Sequence, residues 1–326
     1  MGTGEGNGIR AGTLGLRLLA SPVNFTVLQA LAEKSKTLDA LSRLTGFSAA
    51  AMQRQLEGLM RVEVVEGRRL DAFSGSAKFG LTASGQGLID VAAILGRWLA
   101  MAPDGGLRLG EGAAAEQVRT VTDGWAADLV RVLAAGPLSG DELKSLLSGI
   151  GPDQLERVLE GISRGGLAEP AGAESPSIRP TRLLRHAVAP LAASAQWEQA
   201  NSVPGAGPVS RFDVEAAFLL ATPMVALPSQ ADGTCRLAVE VPAATGRRPA
   251  AGVVVTVERG RVVSCLTSLS QSSSWVTGSP TAWLAAVVDG RTEGLVINGS
   301  GPLAPSLLAS LHITLFGPGQ PPLNPT

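Results

Sequence analysis

The chain has 326 residues, 45% of them hydrophobic and 17% charged, with a formal net charge of −1. That length predicts two or three modules with real cores, and the composition excludes a disordered chain. A charge so near zero provides no global field toward nucleic acid or an anionic membrane, so any such contact must be local.

Only four of the 27 basic residues are lysines (Lys34, Lys36, Lys78, Lys144), tyrosine is absent, and Ala and Gly abound. This composition suggests a GC-rich bacterial genome. Cys235, Cys265 and the two histidines show no metal-ligand spacing, so no metal or other cofactor is expected and a reduced, cytoplasmic setting is. No apolar run reaches the roughly eighteen residues of a membrane helix, and residues 1–12 are Gly-rich without a signal-peptide core. A flexible tail over 1–12, and neither export nor membrane insertion, is the expectation.

A helix is predicted over residues 23–33, where Val23, Val27, Leu28, Ala30 and Leu31 recur at helical spacing. Thr37 caps a second helix over 38–44 that Gly46 ends, and Ser48 caps a third over 49–60. In that third helix Met52, Leu56 and Leu59 face inward and Ala50, Gln53, Arg54 and Glu57 outward. Residues 62–65 read as a strand, 66–69 as a turn and 77–81 as the returning strand. Thr82 or Ser84 then caps a long helix with an apolar stripe of Leu88, Val91, Leu95 and Trp98, and a Gly-rich linker follows over 104–112.

The same plan then returns. A helix through Trp125 and Leu133 leads to Ser139, which with Glu142 forms a capping-box start for 141–147. Pro152 opens a helix to Arg164, a poorer hairpin spans 167–179, and a closing helix over 182–199 is expected to bend at Pro190. Leu155 stands 103 residues after Met52, and Trp197 stands 99 after Trp98. The plan in both copies is that of a winged helix-turn-helix, which makes double-stranded DNA the first partner to test.

After a Pro/Gly-rich boundary at 204–208 the texture becomes α+β. A helix is expected over 212–220 and strands over 237–241, 253–257 and 262–266, the last two joined by a hairpin turn at 258–261. The segment 274–277, a helix over 280–288, a strand over 294–297 and an apolar helix over 303–311 follow.

Two resemblances sharpen this. The copies resemble the HxlR branch of MarR-like winged-helix regulators, through the 133–137 segment Leu-Ala-Ala-Gly-Pro, Gly149-Ile150-Gly151-Pro152 leading to Leu155, and Arg164-Gly165-Gly166-Leu167. In the first copy, Leu81-Thr82-Ala83-Ser84-Gly85 and Gly96-Arg97-Trp98 carry it. The tail resembles a sterol-carrier-protein-2-like domain, through Val276-Thr277-Gly278-Ser279, Val288-Asp289-Gly290 and the 294–299 segment. That resemblance implies helices over a five-stranded sheet around an apolar tunnel for lipid-like ligands. The expected organisation is α+β: winged helices at 13–103 and 113–203, then an SCP2-like α/β sandwich at 209–318. Family regulators carry one winged helix and pair as homodimers; two copies here imply either a homodimer or an internal pseudo-dimer.

The DNA-facing candidates are Ser48, Gln53 and Arg54 on the second helix of the motif, with Arg61, Arg68, Arg69 and Lys78 around the hairpin. Residues 1–102 carry eleven basic and eight acidic side chains, whereas 103–204 carry nine and thirteen. Asp153, Glu156 and Glu160 in the second copy would repel phosphates, so DNA contact is assigned mainly to the first. Winged helices also serve as dimerisation and protein-binding modules, and that use stays open. In the tail Phe212, Phe218, Leu219, Trp275, Trp283, Leu307 and Leu311 are candidate walls of a site for a hydrophobic small molecule; filling an ordinary core is the competing role. No nucleotide loop, nucleophile elbow or acid/base pair is found, so no catalysis is expected; a carrier or repurposed enzyme for a hydrophobic metabolite is the alternative.

Overall fold

The computed structural model describes residues 10–69, 77–103, 105–147, 149–172, 176–243, 246–268, 272–299 and 301–317. The fold is mixed α+β. Of the expected flexible tail only residues 10–12 lie inside the described range.

The first copy runs α1 (Thr13–Ala20), α2 (Pro22–Glu33), β1 (Lys36–Thr37), α3 (Leu38–Thr45), α4 (Ala49–Arg61), β2 (Val65–Arg69), β3 (Ala77–Leu81) and α5 (Ala83–Leu99). The second runs α6 (Gly112–Thr122), α7 (Gly124–Ala134), β4 (Leu138–Ser139), α8 (Gly140–Leu146), α9 (Pro152–Arg164), β5 (Ala168–Pro170), β6 (Ser177–Pro180), α10 (Arg182–His186) and α11 (Val188–Ala200). Their small antiparallel sheets have the same order, β1-β3-β2 and β4-β6-β5. Local chemistry sets the boundaries: Thr37, Ser48, Thr82 and Thr181 cap their helices through the hydroxyl, and Ser139 with Glu142 closes a full capping box.

Three expectations change. The strand expected at 62–65 begins at Val65, because the chain first turns through Glu63 in a left-handed conformation (φ 58°); the charged stretch expected as a turn is itself the strand. The expected single closing helix over 182–199 breaks at Ala187 into α10 and α11. Pro190 has no N–H to bond the His186 carbonyl, so the break falls one turn ahead of it. Helices α1 and α6, absent from the sequence reading, open the two copies and pack on each other.

The C-terminal region contains α12 (Arg211–Ala221), a 3-10 turn at Thr222–Met224, β7 (Gly233–Ala243), β8 (Gly246–Glu258), β9 (Arg261–Thr267), β10 (Ser274–Gly278), α13 (Pro280–Asp289), β11 (Val296–Asn298) and α14 (Leu303–Phe316). The five-stranded sheet has the order β11-β10-β7-β8-β9, with β10 parallel to β7 and the other pairs antiparallel. At the β8–β9 hairpin Arg259 and Gly260 both take positive φ, the geometry whose twist matches that of the strands. Cys235, Leu237 and Val239 on β7 and Val253, Val255 and Val257 on β8 are buried on one face, and α12, α13 and α14 pack on the sheet and on one another. The alternation is that of a sheet covered on one side only.

One helix joins everything. α11 contacts α1, α5, α10, α12, α13 and α14, and is apolar or buried around most of its circumference, with Ala193, Ser194, Trp197 and Glu198 at most 1% exposed.

Candidate functional sites

On α4, Met52, Leu56 and Leu59 form the buried stripe, while Arg54, Glu57 and Arg61 are exposed. Gln53 is half-buried and donates to Glu57 Oε1 at 3.0 Å, so it is partly committed within its own helix. The Ser48 hydroxyl accepts the Ala51 N–H at 3.3 Å as the helix cap. Across the hairpin Arg68 lies in register with Lys78, both exposed, and Arg68 is paired with Glu66 at 2.7 Å. Arg54, Arg61 and Lys78 enter no ion pair among the described residues. The side chain of Arg69 lies outside the described residues. The hairpin docks on α5 through Thr82, whose hydroxyl donates to the Glu63 carbonyl at 2.5 Å, and through Gly85, where a Cβ would stand 2.1 Å from the Val64 carbonyl oxygen. The Leu-Thr-x-x-Gly step thus has a steric reason.

The counterpart face on α9 is internally neutralised. Arg164 pairs with Glu160 at 3.7 Å, Arg157 donates to the Asp153 carbonyl and to Gln154, and Arg179 pairs with Glu169 across the hairpin at 3.0 Å. Asp153 and Glu156 are exposed beside them.

The copies are clasped by a reciprocal exchange. Trp98 Nε1 donates to the Leu183 carbonyl at 2.9 Å, and Trp197 Nε1 donates to the Ser84 carbonyl at 2.8 Å. Donors and acceptors are separated in sequence by the same 99 residues (98 to 197, 84 to 183), so the contact has local two-fold character. Both indoles are nearly fully buried. The exchange ends at Glu198, which is 1% exposed and accepts the N–H groups of Gly12 and Gly15 at 2.6 and 2.9 Å, capping α1, which has no side-chain cap of its own. Burial pushes the Glu198 carboxyl above the usual carboxylate range, against the lowering effect of those N–H bonds.

A cavity of about 130 Å³ opens where three bodies meet: the start of α1, helices α6 and α7 of the second copy, and α11, α12 and α13. Its walls are apolar, with Phe218 and Trp283 edge-to-face at 4.6 Å between ring centroids. Two ion pairs, Arg10 with Asp128 and Arg131 with Asp213, lie at it.

Of the seven tail candidates, the structure brings only Phe218 and Trp283 to this cavity. Leu219, Leu307 and Leu311 are buried elsewhere in the core. Phe212 is 55% exposed beneath the Arg211 guanidinium, and Trp275 is half-buried on β10, beside buried Val276 but on the opposite face. The sequence reading missed Arg10, Arg131 and the alanines of α11 and α12; no local signal marks them, because their partners lie about 80 to 120 residues away.

The remaining reactive groups are occupied. Burial pushes both thiols up to about 11, so they are protonated near neutrality. Cys265 meets Thr222 rather than a histidine. His312 Nδ1 lies 3.0 Å from the Val287 carbonyl, and burial, then Arg182, lowers the His186 pKa. Among the described residues no group of three or more His, Cys, Asp or Glu is placed to hold a metal, and no single helix is long and apolar enough to cross a membrane. The chain matches no family model and no curated protein.

Proposed function

We propose that the chain is a DNA-binding transcriptional regulator of HxlR-like type: two tandem winged helix-turn-helix units joined as an internal pseudo-dimer, followed by an SCP2-like domain that takes a hydrophobic small molecule. The observation that carries this reading is the uneven outer surface of two like-built units. α4 and its hairpin expose Arg54, Arg61 and Lys78 with no ion pair among the described residues, and Arg68 paired only with Glu66, whereas the cations of α9 and its hairpin are matched by neighbouring carboxylates, a carbonyl and an amide oxygen. A helix laid in the major groove with a basic hairpin on the flanking phosphates needs the first surface and is repelled by the second. The first unit is therefore the DNA-contacting one, and the second is its partner across the tryptophan clasp.

The test is binding to the DNA upstream of the chain's own gene, followed by gel shift over a range of salt. With four cations on phosphates, log K should fall against log salt with a slope of about −4. Arg54→Ala with Arg68→Ala should weaken binding by on the order of tenfold to a hundredfold and reduce the slope by about 2. Unchanged affinity and slope in that variant would falsify the assignment.

A further inference from the structure

The junction cavity is bounded by the second copy and the start of α1 as well as by α12 and α13, and so differs from a tunnel enclosed within the C-terminal domain. Space of this kind is unusual in a protein interior, which normally packs to the density of an organic crystal. Here it is kept open by small side chains: Ala127 on α7, Ala192 and Ala195 on α11, and Ala216 and Ala217 on α12 all face it. A leucine at any one of them would fill part of the void at no cost in polarity. About 10–15 Å³ of such space admits one water, so the cavity has room for on the order of ten non-hydrogen atoms.

Its polar edge is unbalanced. Arg10 Nη2 is bonded to Asp128, but Arg10 Nη1 is buried without a hydrogen-bond partner among the described residues. A buried donor left unmade is costly, and a guanidinium is best answered by a carboxylate. Arg131 stands close by with Asp213 as its partner. Burial, and then the charge of Arg131, lower the Arg10 pKa, and a bound anion would offset both.

We propose that this cavity binds a small apolar monocarboxylate of about ten non-hydrogen atoms, its hydrocarbon body between the alanines of α11 and α12 and the Phe218–Trp283 pair, its carboxylate at the edge lined by Arg10 and Arg131. The site deepens the regulator reading and, for its effect on DNA, rests on it. Because the walls come from both the second copy and the C-terminal region, a ligand bound here has differential contacts with any alternative pose of the two.

Octanoate is a probe of the right size, titrated into the full chain without DNA and followed by calorimetry and tryptophan fluorescence. One octanoate per chain is expected, with an emission change that Trp283→Phe removes. Ala217→Phe, which occupies the void, should weaken octanoate at least about tenfold while melting no lower than wild type. Should that variant fail to fold, Ala192→Leu on the facing helix makes the same test. Arg10→Met should weaken octanoate about tenfold and leave 1-octanol within about twofold. Absence of saturable octanoate binding, or binding indifferent to a folded cavity-filling variant, overturns the proposal. Since DNA is absent, that failure leaves the regulator reading standing; octanoate binding by a chain that ignores DNA sinks the regulator reading alone.

Discussion

The two copies share element order and sheet order, yet they differ wherever the chain meets something outside the copy. α4 leaves Arg54 and Arg61 without an ion pair among the described residues, whereas α9 pairs Arg164 with Glu160 and ties Arg157 to the Asp153 carbonyl and the Gln154 side chain. The first closing helix, α5, is one continuous rod, while its counterpart is broken into α10 and α11 ahead of Pro190. The sharp turn into the hairpin is made by Glu63 in the first copy and by Gly166 in the second, at φ 58° and 68°. The inward-facing pattern, which packing constrains, recurs in both copies, and the outward-facing one does not. The second copy has an internal role as well, since α11 carries Trp197 and Glu198 into the first copy and its other sides onto the C-terminal helices.

The clasp is where this comparison breaks most sharply. Trp197→Ala should cost about 3–5 kcal/mol in urea denaturation, because it opens a cavity and leaves the site unable to collapse. Trp98→Ala should cost a similar amount, and either Trp→Phe about 1–2 kcal/mol for the lost N–H bond. A loss below about 1 kcal/mol for Trp197→Ala would mean that the copies are not held through these rings.

On DNA the copies should respond unequally. The double alanine variant at Arg54 and Arg68 carries the loss stated above, whereas Arg157→Ala with Arg164→Ala should stay within about twofold in the same gel shift. Equal losses from both pairs would make the second copy a DNA reader too.

The left-handed turn sharpens the comparison at a smaller scale. Gly166→Ala should destabilise by about 1–2 kcal/mol, because its φ is positive and a Cβ would lie 2.8 Å from Pro103 Cγ. Glu63→Gly should be stabilising by about 0.5 kcal/mol, relief of the left-handed strain exceeding the entropy of the added glycine. Both are read from thermal melts.

Glu198 should have the mildest signature, in pH. Its folded pKa is raised, so the folded state takes up the proton before the unfolded chain does, and its contribution is complete below the unfolded value and lost as pH rises through the folded one. Wild type should therefore gain stability relative to Glu198→Gln as pH falls from about 7 to about 5. A gap that shrinks over that range would show that the N–H bonds outweigh burial.

Much of the secondary structure was legible because its signals are local. Thr37, Ser48 and Ser139 cap the helices they precede, Met52, Leu56 and Leu59 line the buried face of α4, and the Arg259–Gly260 turn pairs β8 with β9. The candidate surface of the first copy was legible to the same degree, as charge on the outer face of a short helix. Helices α1 and α6 were not, since each is short and gains its stability from packing on the other copy rather than from its own pattern. Phe212 reads as a cavity wall, yet stacks with Arg211 at the surface. Hydropathy alone does not say which side of a helix finds a neighbour.

By itself the sequence determined that one plan is written twice, that its charge is not, and that an α+β region follows, because caps, periodicity and charge act within a few residues. Only the tertiary structure decided that Trp98 and Trp197 exchange bonds, that Glu198 caps a helix 183 residues away, and that Arg10 and five alanines meet around one cavity. Those contacts join side chains from separate elements, and their energies exist only once the copies have packed.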